Sequence, residues 1–276
     1  MFALHPAMLG LLASAGASRH LRSFRAGRAS TVNMQARELE KWTASDFPAE
    51  WPYSADDLQR MDESADMLFY STPRFVTHID DGAIAAVTQY YRKTLPAGAD
   101  VLDLCSSWVS HLPKEVQFGR VVGVGMNARE LEANEQLTEW VQADLNASPR
   151  LPFEDASFDA CLNVVSVDYL NQPKEVFEEM HRVLRPGGQA VMSFSNRCFP
   201  TKAVSMWLAQ GDAGRRKIVG SYFVLSPPGG WTDITSYDIT GMGAKPKDPN
   251  NPLLLAALWL KQSVGDPMFV VRATKR

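Results

Sequence analysis

No aspartate or glutamate occurs among the first 37 residues. Arg19, Arg22, Arg25, Arg28 and Arg37 stand there among alanine, serine and glycine. That composition fits a removable organelle transit peptide better than the alternative, a disordered basic tail. The Ser30 to Met34 surroundings lean to chloroplast over mitochondrion. Long apolar runs are also missing. Ala7 to Ala13 and Leu253 to Leu260 fall far short of the ~20 residues that a membrane-spanning helix needs. Cysteine is scarce: Cys105, Cys161 and Cys198 are the only three, with no Cys-x-x-Cys pair. A disulfide framework and a structural zinc site are thereby excluded, and a reducing compartment is the simplest home. The five histidines include no metal-spaced pair. His78 beside Asp80 and Asp81 comes nearest and reads as structural or substrate-facing, so no metal is expected. A strong charge of either sign is absent too: the formal net charge is −3, a field that recruits neither nucleic acid nor an anionic membrane by itself.

What is present is an alternation of strand and helix signals across a 276-residue chain. Val101-Leu-Asp-Leu104 is apolar apart from Asp103, and a turn of small polar residues (Cys105, Ser106, Ser107) follows before Trp108. A buried strand ending in an acid and a tight turn is how an open parallel sheet presents its carboxyl edge to a ligand. Further strands are predicted at Val121–Val124, Gln142–Asn146, Phe158–Val165 and Gln189–Ser195. Helices are predicted at Leu58–Leu68, capped by the Ser54 to Asp57 segment, from Asp80 or Asp81 through Tyr91, from Asn127, from Pro173 to Leu184, over Lys202–Ala209 and over Ala213–Leu225. Trp231–Thr240 and Pro267–Thr274 are expected to pair antiparallel at the sheet edge, with a Gly- and Pro-rich loop, Gly241–Pro252, between them. The expected fold class is α/β, a doubly wound, mostly parallel, Rossmann-like sheet with a C-terminal antiparallel strand pair. The expected organisation is a basic segment over 1–37, an N-terminal cover segment over 38–82 that lies on the core, and a main domain over 83–276.

Two stretches carry a family resemblance: Leu151 to Leu170, LPFEDASFDACLNVVSVDYL, and Glu175 to Phe194, EVFEEMHRVLRPGGQAVMSF. They resemble the class I S-adenosylmethionine-dependent methyltransferases of the small-molecule, type 11 branch. More narrowly, Cys105-Ser-Ser-Trp108, Phe194 to Thr201 and Phe69 to Asp80 look like a plant and algal methyltransferase-like family. The resemblance implies S-adenosylmethionine as cofactor, lying across the strand tips. It implies that Asp103 orients the methionine portion, that Asp144 accepts from the adenine amino group, that Leu145 packs on the adenine, and that Asn163 and Ser166 stand where the methyl group points. Two departures stand out. The family's glycine-rich first loop is replaced by Cys105, Ser106 and Ser107, and the two serine hydroxyls remain candidate donors to the cofactor. The acid that grips the ribose at the end of strand two is replaced by Gly125, leaving Asn127 as a neutral substitute.

Methyl transfer is an in-line displacement that needs alignment above all, and a base only for a protonated nucleophile. His111, Asp168 and Tyr169 are the catalytic candidates near the strand tips, with helix-start packing and capping as their ordinary readings. Tyr70, Arg74 and His78 in the cover are the substrate-facing candidates, with Arg74 either binding a carboxylate or pairing with Asp80 or Asp81. His181, on a helix away from the tips, reads as structural. Two functions remain open. One is methyl transfer to a small-molecule acceptor in an organelle. The other is a catalytically inactive methyltransferase fold with a binding or regulatory role. A nicotinamide dehydrogenase is disfavoured because no Gly-x-Gly-x-x-Gly follows strand one. Base methylation is disfavoured because no Asn-Pro-Pro-Tyr-type tetrapeptide follows strand four.

Overall fold

The structure is a computed structural model, and it describes residues 35–243 and 265–276. The expected transit-peptide segment up to residue 34, most of the Gly241–Pro252 loop and the Leu253–Leu260 run lie outside the described residues. Among the described residues no helix is long and apolar enough to cross a membrane.

Among the described residues eight strands form one sheet: β1 (Arg37–Trp42), β2 (Val101–Leu104), β3 (Val121–Gly125), β4 (Glu139–Gln142), β5 (Phe158–Val164), β6 (Leu184–Phe194), β7 (Trp231–Asp238) and β8 (Phe269–Lys275). Their spatial order is β1-β7-β8-β6-β5-β2-β3-β4. The five strands from β4 to β6 are parallel, and β8 returns antiparallel between β6 and β7. Strand β2 sits in the middle of the parallel block with all four residues buried, as expected of a strand covered on both faces. The helices are α1 (Ala55–Leu58), α2 (Asp66–Phe69), α3 (Asp81–Thr94), α4 (Ala128–Glu132), α5 (Pro173–Val183), α6 (Ser205–Leu208) and α7 (Asp212–Leu225). Two apolar layers flank the sheet. One packs Phe177, Tyr222 and Phe223 from α5 and α7 onto it, and the other packs Ala86, Val87, Tyr90 and Tyr91 from α3. Asp80 caps α3 by accepting from the Ala83 N–H at 2.9 Å, as its sequence predicts.

Several boundaries differ from the sequence reading. Arg37 begins β1, so the basic segment stops before it, and 37–42 builds the sheet edge instead of lying over the core. Pairing with distant residues holds it there: Arg37 to Asp238, and Glu40 to Arg216. The Leu58–Leu68 helix is replaced by α1 and α2, joined by an extended stretch in which Arg60 bridges to Val204. Strand β4 lies at 139–142, because pairing with β3 ends at Gln142, and the chain turns at Asp144. Strand β6 starts at Leu184, so Pro186 and Gly187 lie inside it. Helix α6 covers only 205–208 of the expected 202–209.

Candidate functional site

A cavity of about 590 Å³ opens over the carboxyl ends of β2, β3 and β5 and the turn after β4, and residues from 66 to 79 and from 196 to 200 line its remaining sides. That is the crevice position in which open α/β sheets hold ligands, and its volume suits a small molecule.

At the end of β2, Asp103 is buried and faces the cavity. Ser106 Oγ and Ser110 Oγ both donate to its Oδ2 at 2.7 Å. Burial pushes its carboxyl up to about 6, against the pull of the two hydroxyls. The chain turns away at Cys105, whose φ is +56°. The Cys105 thiol lines the cavity and is pushed up to about 12, first by burial and then by Asp103, so it is no nucleophile at neutral pH. Ser107 also lines the cavity, and its carbonyl accepts from Asn134. The Ser106 hydroxyl is therefore spent on Asp103 rather than offered to a ligand.

The loop folds directly onto β3. Ser106 N–H donates to Val124 O at 2.8 Å. A Cβ at Gly125 would meet the Ser106 carbonyl oxygen at 2.2 Å. No side chain fits there, acidic or otherwise. Nor does Asn127 stand in as a ribose contact. Its Oδ1 accepts from the Arg129 and Glu130 N–H groups. Its Nδ2 donates to the Tyr70 and Ser71 carbonyls. The side chain caps α4 and pins the cover, which consumes its donors.

After β4, Asp144 Oδ1 accepts from the Asn146 and Ala147 N–H groups, which shapes the turn and leaves the second carboxylate oxygen for a ligand donor. Leu145 is buried beside it on the cavity wall. Asn146 then donates to Asp66 at 2.9 Å. Asp66 also takes two contacts from Arg60 Nη1, at 2.8 and 2.6 Å, and lies 3.1 Å from Lys202 Nζ. The Lys202 side chain is fully buried and donates to the Ser64 carbonyl. Burial pushes the Asp66 carboxyl up, but the bonds from Asn146, Arg60 and Lys202 outweigh it and hold it below its ordinary value. This network ties the cover to the ends of β4 and β6.

At the tip of β5, Val165 adopts φ +46°, a costly state for a β-branched residue. Val165 and Ser166 both line the cavity. Asn163 does not: it is buried beneath the floor, donating to the Leu104 carbonyl. Asp168 is likewise absent from the wall. It is turned into the protein, its Oδ2 has no hydrogen-bond partner among the described residues, and burial pushes its carboxyl up to about 8. It is a buried neutral acid, not a catalytic base. Tyr169 does line the cavity, and its hydroxyl accepts from the Phe199 N–H at 2.8 Å. Burial, then Asp168, raises its ionisation well above the ordinary phenol value, so it keeps its proton and remains a donor.

The cover brings Tyr70, Arg74 and His78 to the same cavity. Burial raises the Tyr70 phenol. Arg74 pairs with neither Asp80 nor Asp81. Its guanidinium lies 4.5 Å from the Phe69 ring centre and donates to the Phe69 carbonyl. His78 packs edge-on against Phe199, 5.4 Å between centroids. Burial lowers its pKa, with Arg74 adding to the effect and Glu130 opposing it. His111, at φ +55°, lines the cavity with its Nδ1 buried and unpartnered among the described residues. Burial, reinforced by His78, pushes it down to about 4. It is an unprotonated acceptor at neutral pH and a weak base. Trp108 stays off the wall and holds the cover by donating to the Val76 carbonyl at 3.1 Å. His181 stacks edge-on with Trp231 far from the cavity, as expected of a structural residue.

Sequence reasoning passed over Glu130, Asn146, Phe199 and Lys202. A buried lysine leaves no composition signal, and an acid in a helix's first turn reads as solvent-facing.

The sheet order, the acid at the end of β2 and the cavity over the strand tips define a Rossmann-like, small-ligand-binding α/β fold. Residues 105–192 match the family described as a methyltransferase domain. An uncharacterized methyltransferase of Mycolicibacterium vanbaalenii is 37% identical over 100 residues, 34% of this chain and 38% of the other. A demethylmenaquinone methyltransferase of Lactiplantibacillus plantarum is 33% identical over 107 residues, 35% of this chain and 45% of the other. The chain thus spans less than half the length of these two relatives. Among solved structures, an S-adenosylmethionine-dependent methyltransferase of Mesorhizobium loti aligns with TM-score 0.45 at 17% identity, over 69% of this chain and 98% of the other. The family match and the curated relatives support a methyltransferase domain over about a third of this chain.

Proposed function

We propose that the protein transfers a methyl group from S-adenosylmethionine to a small-molecule acceptor inside an organelle, a chloroplast rather than a mitochondrion. One observation carries the catalytic part: Asp103 at the end of β2 and Asp144 in the turn after β4, with β3 between them, open into one cavity over the strand tips. The organelle part rests on the acid-free, Arg- and Ser-rich start of the chain, and kinship with plant and algal proteins rests on the Cys105 to Trp108 loop together with Phe69 to Asp80 and Phe194 to Thr201.

The residues present fit this cofactor. Asp144 offers an acceptor beside apolar Leu145, a pairing suited to an adenine amino group and ring. Asp103 offers negative charge for the cationic end. The cofactor supplies a methyl group on a sulfonium, which leaves as a neutral thioether. The chain's part is to align and desolvate. Asp103 is held rigid by two serine hydroxyls. His111 accepts a hydrogen bond from a protonated acceptor, and Tyr169 donates one. Tyr70, Arg74 and His78 close the cavity on the acceptor side, which suits a small molecule.

The rival reading, a fold that binds without turnover, draws on the Ser106 carbonyl standing where the family carries its ribose acid. Calorimetric titration of the full chain with S-adenosylhomocysteine tests the cofactor reading. Micromolar one-to-one binding is expected. No heat at millimolar ligand, from a folded sample, overturns it. Retention of radiolabelled methyl groups in an organelle small-molecule extract then separates turnover from mere binding.

A further inference from the structure

Four carboxylates line the cavity: Asp66, Asp103, Glu130 and Asp144. Asp66 is saturated by Arg60, Lys202 and Asn146. Asp103 belongs to the end of β2 and Asp144 to the turn after β4. Between them lies the carboxyl end of β3, where the wall consists of Gly125, Met126, Asn127 and Glu130. Gly125 has no room for a side chain. Asn127 has spent its amide on α4 and on the cover. Glu130 is the polar side chain that remains. It is 9% exposed. Its Oε1 accepts from the Arg74 N–H at 2.6 Å, and no donor among the described residues reaches its Oε2. Glu130 lines the cavity, and this second oxygen is left to accept from a ligand held there.

We propose that Glu130 receives a pair of vicinal hydroxyls on the ligand, which on the cofactor reading above are the ribose 2′- and 3′-hydroxyls. Hydroxyls suit an acceptor-only carboxylate, and an acid near the second strand of an open α/β sheet is well placed for a sugar diol. The reading acid has moved five residues along the chain, from the strand end that Ser106 closes to the first turn of the next helix. The same carboxylate holds the Arg74 backbone, so the cover and the ligand share one anchor.

The test is calorimetry on the full chain with S-adenosylhomocysteine and its 2′,3′-dideoxy analogue, for wild type and Glu130→Gln. Glutamine keeps a carbonyl for the Arg74 N–H and removes the charge. Wild type is expected to bind the dideoxy analogue about 10- to 100-fold more weakly than the parent. Glu130→Gln is expected to lose a similar factor for the parent and to discriminate little between the two. Equal binding of both ligands by wild type overturns the proposal without any variant. So does a Glu130→Gln protein, melting as wild type does, that discriminates as wild type does. Failure of wild type to bind either ligand refutes the cofactor reading itself, a distinct outcome that removes this proposal with it.

Discussion

A side-chain carbon on Gly125 would lie 2.2 Å from the carbonyl oxygen of Ser106. The loop after β2 and the end of β3 therefore specify each other. The absence of glycine from the first loop and the absence of an acid after strand two are one change. The serine-bearing loop turns at Cys105, bonds Val124 and occupies the space that an acid would need.

Gly125→Ala is accordingly expected to destabilise the protein by about 2 kcal/mol or more, because the carbon meets backbone and not a movable side chain. Thermal melting checks this. A melting temperature within a degree of wild type would show that the loop yields.

Asp103 gives a pH signature. Burial holds its carboxyl near 6, so it is charged at pH 8 and largely protonated at pH 5. Affinity for cationic S-adenosylmethionine is expected to fall about tenfold between those limits as this charge is lost. Asp103→Asn is expected to bind weakly with a much flatter pH profile. Calorimetry at four pH values distinguishes the two.

Asp168 gives a stability signature of opposite location. Its folded pKa of about 8 lies above the ordinary carboxylate value. The folded state holds a proton that the unfolded chain releases above pH ~4, so stability is full below that pH and declines as pH rises toward 8. Asp168→Asn mimics the protonated acid. Its melting temperature is expected to match wild type near pH 4 and to exceed it by several degrees at pH 9.

Lys202→Met removes the buried ammonium between Asp62 and Asp66. Breaking a buried ion pair from one side costs about 3–5 kcal/mol. The expected result is a lower melting temperature together with faster proteolytic cleavage within 60–79. Cleavage at the wild-type rate would show that the network does not hold the cover.

The parallel core was legible because its strands are short, almost wholly apolar runs, as at Val101 and Phe158, bounded by turn residues. The partners of β1 were not. Arg-Glu-Leu-Glu-Lys-Trp reads as a polar segment until Asp238 and Arg216, about 200 residues away, supply its pairs. Asp103, Asp144 and Leu145 were placed correctly on the cavity, because strand ends mark the site. Asp168 was misread because nothing local tells an acid that lines a cavity from one turned inward. Asn127 and Ser106 also stand on the cavity, but side-chain polarity did not reveal the bonds each already makes within the fold.

The central claim is that Asp144 reads an adenine at the carboxyl edge of the sheet. The direct measurement is the affinity of S-adenosylhomocysteine and of its inosine counterpart, which lacks the 6-amino group, for wild type and Asp144→Asn. Asparagine keeps the Oδ1 that holds Asn146 and Ala147 and replaces the other oxygen by a donor. Wild type is expected to prefer the adenine form by about tenfold or more, and Asp144→Asn to lose this preference. Equal affinity of wild type for both ligands would contradict it.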